Sequence, residues 1–162
     1  MERPHKTISQ SRCTLSALMG PQDANQHGNV HGGVIMKMVD EAGALVAMRH
    51  ANQPVVTVAV DSMTFMEPIL LGNLVLCKAE ITYAGRTSME VRVEVVAEDP
   101  LRGTAKTTNI AYLVYVALDD DGHPSPVPPL VYETPEEQLR GEQARMRQEY
   151  RKHQRALENP TS

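Results

Sequence analysis

The stretch DANQHGNVHGGVIMKMVDEAGALVAMRH, residues 23–50, decides the fold of this 162-residue chain. Its first part is rich in Gly and Asn, which is typical of an irregular loop. From Val34 to Arg49 there is no proline, Gly43 is the only glycine, and apolar residues recur on almost every side. Such a helix is buried on most sides, so we predict a central helix over Val34–Arg49.

The remainder of the sequence predicts the sheet against which this helix packs. Runs rich in Val and Thr, several of them alternating between apolar and polar residues, indicate strands at Arg12–Leu18, Val55–Phe65, Leu74–Tyr83, Ser88–Glu98 and Thr104–Leu118. The last run is apolar on both faces, which is typical of a central, covered strand. Because short links join the last four strands, we expect an antiparallel sheet. A sheet curled around one buried helix is the hotdog fold, of the α+β class.

A charged segment follows the predicted sheet. The sequence Thr134-Pro135-Glu136-Glu137 is typical of a helix start, and it predicts a helix that continues to about Asn159–Pro160. Apolar residues are few there, so the helix should be peripheral, either packed on a neighbouring subunit or solvated. We therefore predict a single domain over residues 8–132 and a charged C-terminal helix over residues 133–160.

Composition narrows the functional class and the location. A formal net charge of −4 argues against a nucleic-acid-binding protein. No stretch approaches the ~20 apolar residues of a membrane span, and the N-terminal residues lack the apolar run of a signal peptide. Cys13 and Cys77 fall in no paired or metal-spaced cluster, which predicts free thiols in a reducing compartment. These patterns predict a cytoplasmic protein that binds neither nucleic acid nor membrane.

Asp40 is a polar residue in an apolar setting. Residues three and four apart share one face of a helix. The residues that share the face of Asp40 are small or apolar: Met36, Gly43, Ala44 and Ala47. A carboxylate there is either desolvated or faces a cavity, which favours a functional role over capping by groups of the preceding loop. Glu41, four residues after Lys37, instead predicts a surface ion pair of little energetic value.

The residues just before the helix predict a second part of the site. His31-Gly32-Gly33 leads directly into Val34, and two glycines let a ligand approach the backbone closely. The first N–H groups of a helix lack internal partners and carry partial positive charge. The amides of Gly33 and Val34, beside Gly32, are therefore candidates for an oxyanion hole on the same helix face as Asp40.

Several other kinds of catalytic site are not supported by the sequence. It contains no G-x-S-x-G nucleophile motif and no glycine pattern of a nucleotide-binding loop. His27 and His31 are separated by loop residues and form no metal-binding helix motif, so no metal site is predicted.

The segments Asp23–Gly33 and Met38–Gly43 together resemble the acyl-CoA thioesterases of the hotdog superfamily, in the branch of the cytosolic acyl-CoA hydrolases. Three later segments agree with the same branch: Val60–Phe65, Ala79–Tyr83 and Ser88–Val91. The resemblance extends over residues 10–132, with a similar charged tail beyond.

This resemblance implies hydrolysis of fatty acyl-CoA to free fatty acid and CoA, without a metal or organic cofactor. It implies that Asn25 and Asp40 carry catalysis from opposite subunits of a dimer, and that three dimers form a hexamer. Asp40 would act as general base or as nucleophile, while Asn25 orients the water or the carbonyl. Arg86, followed by Thr87 and Ser88, is a candidate for the CoA phosphates, although a solvated turn explains Arg86 equally well.

Two other functions remain open at this point. A hotdog enoyl-CoA hydratase or dehydratase pairs a histidine with an acid, and His27 or His31 with Asp40 or Glu41 resembles such a pair. A non-catalytic acyl-CoA-binding protein is the second alternative, because a fold does not determine a function. The presence of both predicted catalytic side chains disfavours it.

Overall fold

The computed structural model describes residues 3–61 and 63–159. In chain order the elements are β1 (Lys6–Thr7), β2 (Cys13–Leu18), α1 (Gly32–Ala51), β3 (Val55–Val60), β4 (Leu74–Ala84), β5 (Ser88–Asp99), β6 (Thr104–Ala117), β7 (Leu130–Val131) and α2 (Pro135–Glu158). Short 3-10 turns lie at Ile8–Gln10 and Pro21–Asp23.

The main sheet has five antiparallel strands in the order β2-β4-β5-β6-β3. Helix α1 contacts all five of these strands, which requires the sheet to curl around it. Strand β6 lies between β5 and β3, as its apolar character on both faces predicts. The predicted α+β hotdog fold is therefore confirmed.

Small and β-branched residues allow α1 to lie close to the sheet. On the helix, Val39, Ala42, Val46 and Ala47 are completely buried, and they share one core cluster with the inward-facing valines of β4 and β5. Dense packing of this kind is the main source of helix stability in a protein. The helix extends beyond the predicted Val34–Arg49 at both ends.

Asn52 ends α1 in the left-handed conformation, with φ of 53°. Its backbone N–H donates to the Met48 carbonyl oxygen at 2.7 Å, which satisfies one of the last carbonyl groups of the helix. Asparagine tolerates this conformation better than most residues, so the end of α1 at this position has a local cause.

Strand β3 is shorter than predicted, because Val55–Phe65 forms a strand only as far as Val60. Its pairing with β6 shifts between Thr57 and Ala59, which is a β-bulge. A bulge bends a strand and increases its twist, and the chain leaves the sheet soon after it. Ser62 lies outside the described residues.

The chain has regular structure already at Lys6–Gln10, which the sequence analysis did not predict. Lys6 and Thr7 pair in parallel with Leu130 and Val131, and a 3-10 turn follows. Strands of two residues are too short to show the alternation by which strands are recognised in sequence. Met1 and Glu2 lie outside the described residues.

Both cysteines are free thiols, as predicted. Cys77 is fully buried in β4, and burial raises the pKa of its thiol to about 11. Cys13 is half-buried in β2. A buried thiol that stays protonated is chemically inert, so Cys77 acts as a small apolar residue of the core. The cytoplasmic location remains a prediction.

Helix α2 begins as predicted. The Thr134 hydroxyl accepts a hydrogen bond from the Glu137 N–H at 3.1 Å, and the Glu137 carboxylate accepts one from the Glu133 N–H at 2.7 Å. The first bond caps the helix at Thr134, and the second reaches the residue before the N-cap, so the predicted capping box is formed only in part. None of the helices in the described part of the chain is long and apolar enough to cross a membrane. The predicted domain limits, residues 8–132 and 133–160, remain a prediction, and Pro160 lies outside the described residues.

The position of α2 corrects the sequence analysis. Glu90 on β5 is only 1% exposed and points to the face of the sheet opposite α1. Arg147 of α2 donates two hydrogen bonds to its carboxylate, at 3.0 and 2.7 Å, and Arg151 donates a third at 3.1 Å. The Thr82 hydroxyl donates a fourth at 2.7 Å. Helix α2 is therefore neither a solvated helix nor one held only by a neighbouring subunit.

A second contact lets α2 lie close to the body of the protein. Gly141 is buried against Tyr132, and a Cβ atom at this position would lie only 2.2 Å from the Tyr132 hydroxyl oxygen. The Tyr132 hydroxyl donates to the Thr82 carbonyl oxygen at 2.9 Å. A glycine inside a helix lowers its stability, and here the close approach explains it.

Candidate active site

Asp40 lies in the middle of α1, and two hydroxyl groups hold one of its carboxylate oxygens. Thr57 on β3 donates to Oδ1 at 2.8 Å, and Tyr115 on β6 donates to the same atom at 3.0 Å. The other oxygen, Oδ2, accepts no hydrogen bond from the described residues and is not completely buried. One oxygen is thus fixed by the protein, and the other is left for a water or a substrate atom.

Tyr115 lies on the face of the sheet that packs against α1, and its side chain is completely buried. Its hydroxyl lies 3.0 Å from both Oδ1 and the backbone carbonyl oxygen of Asp40. Burial, followed by the negative charge of Asp40, raises the pKa of the Tyr115 phenol. The phenol therefore stays protonated and acts as a hydrogen-bond donor at any physiological pH.

Gly43 makes room for the Tyr115 hydroxyl. A Cβ atom at Gly43 would lie 2.3 Å from that oxygen, closer than atoms pack. The glycine on the face of Asp40 is therefore explained by the approach of Tyr115.

Thr57 reaches Asp40 because of the register of β3. It lies directly opposite Tyr115 in the ladder with β6, so both side chains point to the same face of the sheet. The bulge begins immediately after Thr57. Bulges often lie beside active sites, where they orient side chains.

Glu41 has the structural role predicted from sequence. Its carboxylate forms an exposed ion pair with Lys37 at 3.8 Å. The alternative explanation of Asp40, capping by the preceding loop, is wrong, since the partners of its carboxylate come from β3 and β6.

The amides proposed for an oxyanion hole have partners within the chain. His31 is the N-cap of α1, and its Nδ1 accepts the Gly33 N–H at 2.9 Å. The Val34 N–H donates to the His31 carbonyl oxygen at 3.0 Å. An oxyanion at Gly33 thus requires the exposed His31 side chain to turn away, whereas the Gly32 N–H has no acceptor among the described residues.

Asn25 lies in the loop before α1. Its side-chain oxygen accepts hydrogen bonds from the N–H groups of His27 and Asn29, at 2.9 and 3.1 Å. The amide nitrogen, Nδ2, has no acceptor among the described residues. Asn25 and Gly32 line a cleft of about 280 Å³ whose apolar walls include Ile35 and Phe65.

Arg86, Thr87 and Ser88 lie where β4 turns into β5. The Thr87 and Arg86 carbonyl oxygens accept backbone hydrogen bonds, and the Ser88 hydroxyl accepts one from Gln148 at 3.4 Å. The exposed Arg86 side chain lines a cavity of about 400 Å³ together with Arg3. No carboxylate of the described residues lines this cavity.

Within one chain, the structure brings the predicted residues into three separate places. Asp40 lies with Thr57 and Tyr115, Asn25 lies in the cleft beside Gly32, and Arg86 lies at the β4–β5 turn. Sequence analysis missed Thr57 and Tyr115. The one weak signal for Thr57 is its hydroxyl within a run of valines, and Tyr115 has none, because it sits in an apolar strand as core residues do.

The profile of the thioesterase superfamily matches residues 27–104, a region that includes the last residues of the loop before α1, the whole of α1 and strands β3 to β5. An uncharacterized acyl-CoA thioester hydrolase of Bacillus subtilis is 33% identical over 98% of this chain and 95% of its own length. The chain belongs to the acyl-CoA thioester hydrolases of this superfamily.

Other members of the family are longer or are known in three dimensions. The cytosolic acyl coenzyme A thioester hydrolase of the mouse is 38% identical over 87% of the chain, but the chain spans only 38% of that relative's length. The acyl-CoA hydrolase of Staphylococcus aureus, solved with butyryl coenzyme A and coenzyme A, is 37% identical, with a TM-score of 0.89 and coverage of 98% and 96% of the two chains.

Variants of the Staphylococcus aureus enzyme with alanine in place of one aspartate, one asparagine and one threonine have also been solved. A hexameric acyl-CoA thioesterase has the same fold, with a TM-score of 0.91 and 37% identity over 96% of this chain and 99% of that one.

Proposed function

We propose that this protein is an acyl-CoA thioesterase that releases a fatty acid and CoA from fatty acyl-CoA. The observation that carries the proposal is the carboxylate of Asp40, fixed at Oδ1 by two hydroxyl groups and free at Oδ2. A carboxylate held in this way on a buried helix is suited to activate a water molecule or to attack a carbonyl carbon. Membership of the acyl-CoA thioester hydrolases points to a thioester as the group attacked.

The reaction needs only one acid–base group. Oδ2 of Asp40 takes a proton from water while the water oxygen attacks the thioester carbon. The carbonyl oxygen becomes negative, and we place it at the positive N-terminal end of α1 from a second copy of the chain, because Gly32 lies about 12 Å along the helix from Asp40 of its own copy. There the Gly32 N–H, which has no acceptor among the described residues, is available to the oxygen. The carbon–sulfur bond then breaks, CoA leaves as a thiolate that takes up the proton, and the acid is released. Direct attack by Oδ2, through an anhydride, has the same overall balance.

The set of catalytic residues that we propose is Asn25, Asp40 and Thr57. The asparagine, aspartate and threonine replaced in the Staphylococcus aureus variants have the same sequence spacing as these three residues. Thr57 donates to the carboxylate, and Nδ2 of Asn25 is a free donor for the water or the carbonyl oxygen.

We propose that Asn25 and Asp40 come together across a dimer. Strand β3 ends the sheet, so among the described residues its outer edge has no strand partner. Its valines Val56, Val58 and Val60 are 42%, 45% and 50% exposed, and an unpaired apolar edge strand is suited to pairing with a second copy. The hexameric relative is consistent with three such dimers.

A mixing experiment tests the shared site. We expect Asn25→Ala and Asp40→Asn each to be nearly inactive alone, and their mixture, after dissociation and reassembly, to recover about a quarter of wild-type activity. Half of the random dimers contain both variants, and one of their two sites is then intact. The measurement is thiol release before and after reassembly, with each variant reassembled alone as the control. A mixture that stays as inactive as its components would contradict the shared site.

For the CoA phosphates, we propose Arg86 with Thr87 and Ser88 beside it. The cavity next to Arg86 also has Arg3 in its wall, and no carboxylate of the described residues lines it. Two guanidinium groups in one cavity are suited to a phosphate group, because arginine donates two hydrogen bonds in a fixed geometry.

The groups that hydrogen-bond to Asp40 distinguish hydrolysis of the thioester from hydration of a double bond. Within the described residues, Asp40 is held by two hydroxyl groups, Glu41 pairs with Lys37, and His31 accepts a backbone N–H, so neither acid pairs with His27 or His31. Wild-type protein should therefore release free thiol from a panel of saturated acyl-CoA substrates of increasing chain length. With an unsaturated acyl-CoA it should show no hydration of the double bond. Hydration without thiol release would overturn the proposed function, and tight acyl-CoA binding without either reaction would establish a binding protein.

A further inference from the structure

The Tyr115 hydroxyl contacts Asp40, but the proposed set of catalytic residues assigns it no role. It is fully buried on the central strand β6, and it meets Asp40 at two points, Oδ1 and the backbone carbonyl oxygen, each at 3.0 Å. The single proton of the hydroxyl is shared between these two acceptors. A donor that lies close to both atoms restrains the carboxylate relative to the backbone of its own residue.

The helix has an opening shaped for this hydroxyl. Gly43 is buried one turn after Asp40, and a Cβ atom there would lie 2.3 Å from the hydroxyl oxygen and 3.0 Å from the ring carbon that carries it. Glycine in the middle of a helix is unfavourable relative to alanine. Glycine at position 43 therefore makes the helix less stable than alanine would, and the contact with Tyr115 explains why a glycine is there.

The two donors to Asp40 differ in how rigidly they are held. Thr57 lies on the edge strand β3 beside a bulge and is exposed, whereas Tyr115 lies on the strand between β3 and β5 and is completely enclosed. A catalytic group is oriented best by a partner whose own conformation is locked by packing. Both donors meet at Oδ1, which leaves Oδ2 as the oxygen directed to the reaction.

We propose that Tyr115, in the space opened by Gly43, is the positioning residue of Asp40. It holds Oδ1 so that Oδ2 is presented to the water or the thioester. This inference rests on the proposed thioesterase function, since it concerns the same carboxylate.

Tyr115→Phe keeps the ring in the core and removes only the hydroxyl. We expect kcat for thiol release to fall by about 10-fold or more, with little change in KM, as is typical when an orienting group is lost. The pH–rate profile of the variant, recorded beside that of wild type, is a second readout of a change at the carboxylate. A merely structural role of the ring would lower Tm and leave kcat and this profile as in wild type.

Tyr112→Phe is the matched control. It makes the same change on the same strand, but the Tyr112 hydroxyl has no hydrogen-bond partner among the described residues, and its ring contacts Arg147. We expect wild-type kcat and a wild-type pH profile for this variant. A Tyr115→Phe variant that behaves as Tyr112→Phe does would overturn the inference.

Gly43→Ala provides an independent test, because it displaces the hydroxyl without removing it. We expect the same fall in kcat and a lower Tm than that of wild type. Addition of Tyr115→Phe should raise the Tm above that of Gly43→Ala alone, since the closest contact disappears. A Gly43→Ala variant with wild-type kinetics would contradict the inference even where Tyr115→Phe fails to fold.

The outcomes separate this inference from the proposed function. If wild-type protein releases no thiol from any acyl-CoA, the proposed function itself fails. If wild type is active and Asp40→Asn is inactive, while Tyr115→Phe retains wild-type kcat and pH profile, only the role of Tyr115 fails.

Discussion

Asp40→Asn should reduce kcat for thiol release by at least ~10²-fold, which is the size expected when a general base is removed. An asparagine has nearly the same shape, and its oxygen still accepts hydrogen bonds from the hydroxyls of Thr57 and Tyr115. The amide, however, neither takes a proton from water nor attacks a carbonyl carbon. The loss should therefore appear in kcat with little change in KM, because the substrate still binds.

Glu41→Gln is the control for this experiment. It is the next residue of the same helix and undergoes the same chemical change, but its carboxylate only forms an exposed ion pair with Lys37. Surface pairs of this kind contribute little, so activity and Tm should stay near wild type. Equal activity of wild type and Asp40→Asn would exclude Asp40 as base or nucleophile, whatever its contacts.

Glu90→Gln should lower the free energy of unfolding by about 3–5 kcal/mol, because it removes one partner of a buried ionic cluster. Glu90 is 1% exposed, and the side chains of Arg151 and Arg147 are 15% and 27% exposed. After the substitution, Arg147 lies largely out of solvent without a carboxylate partner among the described residues, and Arg151 keeps only Asp61, to which it donates at 2.6 Å. The contacts of α2 with the sheet should weaken first, since both arginines lie on that helix.

Urea unfolding measures this loss, and limited proteolysis under native conditions shows whether α2 opens before the rest of the protein. Glu94→Gln on the same strand is the matched control. Glu94 is 28% exposed and lies 3.6 Å from Arg92, so a loss of less than about 1 kcal/mol is expected there. If Glu90→Gln loses no more stability than Glu94→Gln and its α2 resists protease equally well, the cluster does not hold the helix.

The sequence determined the helical core and its anomalous carboxylate. The apolar run of α1 predicts a helix buried on most sides. Runs rich in Val and Thr predict strands β2, β4, β5 and β6, and β3 as far as Val60. Spacing alone also separates Asp40 from Glu41, and the structure gives Glu41 the surface ion pair expected of it. These features are local, because side-chain direction in helices and strands follows from the period of the backbone.

The partners of Asp40 were decided only by the tertiary structure. Thr57 and Tyr115 are far apart in sequence, and they reach the same oxygen because β3 and β6 are neighbours in the sheet in a particular register. Periodicity predicts which face of a strand is buried, but it contains no information on which strands pair or where a bulge lies.

The same reason explains the errors about α2 and the start of α1. Glu90 reads as a solvent-facing residue of an alternating strand, and only the packed structure shows that Arg147 and Arg151 cover it. The Gly33 amide reads as free at a helix start, yet the His31 side chain folds back to accept from it. A sequence shows which groups need partners, and long-range contacts made on folding decide which partners they find.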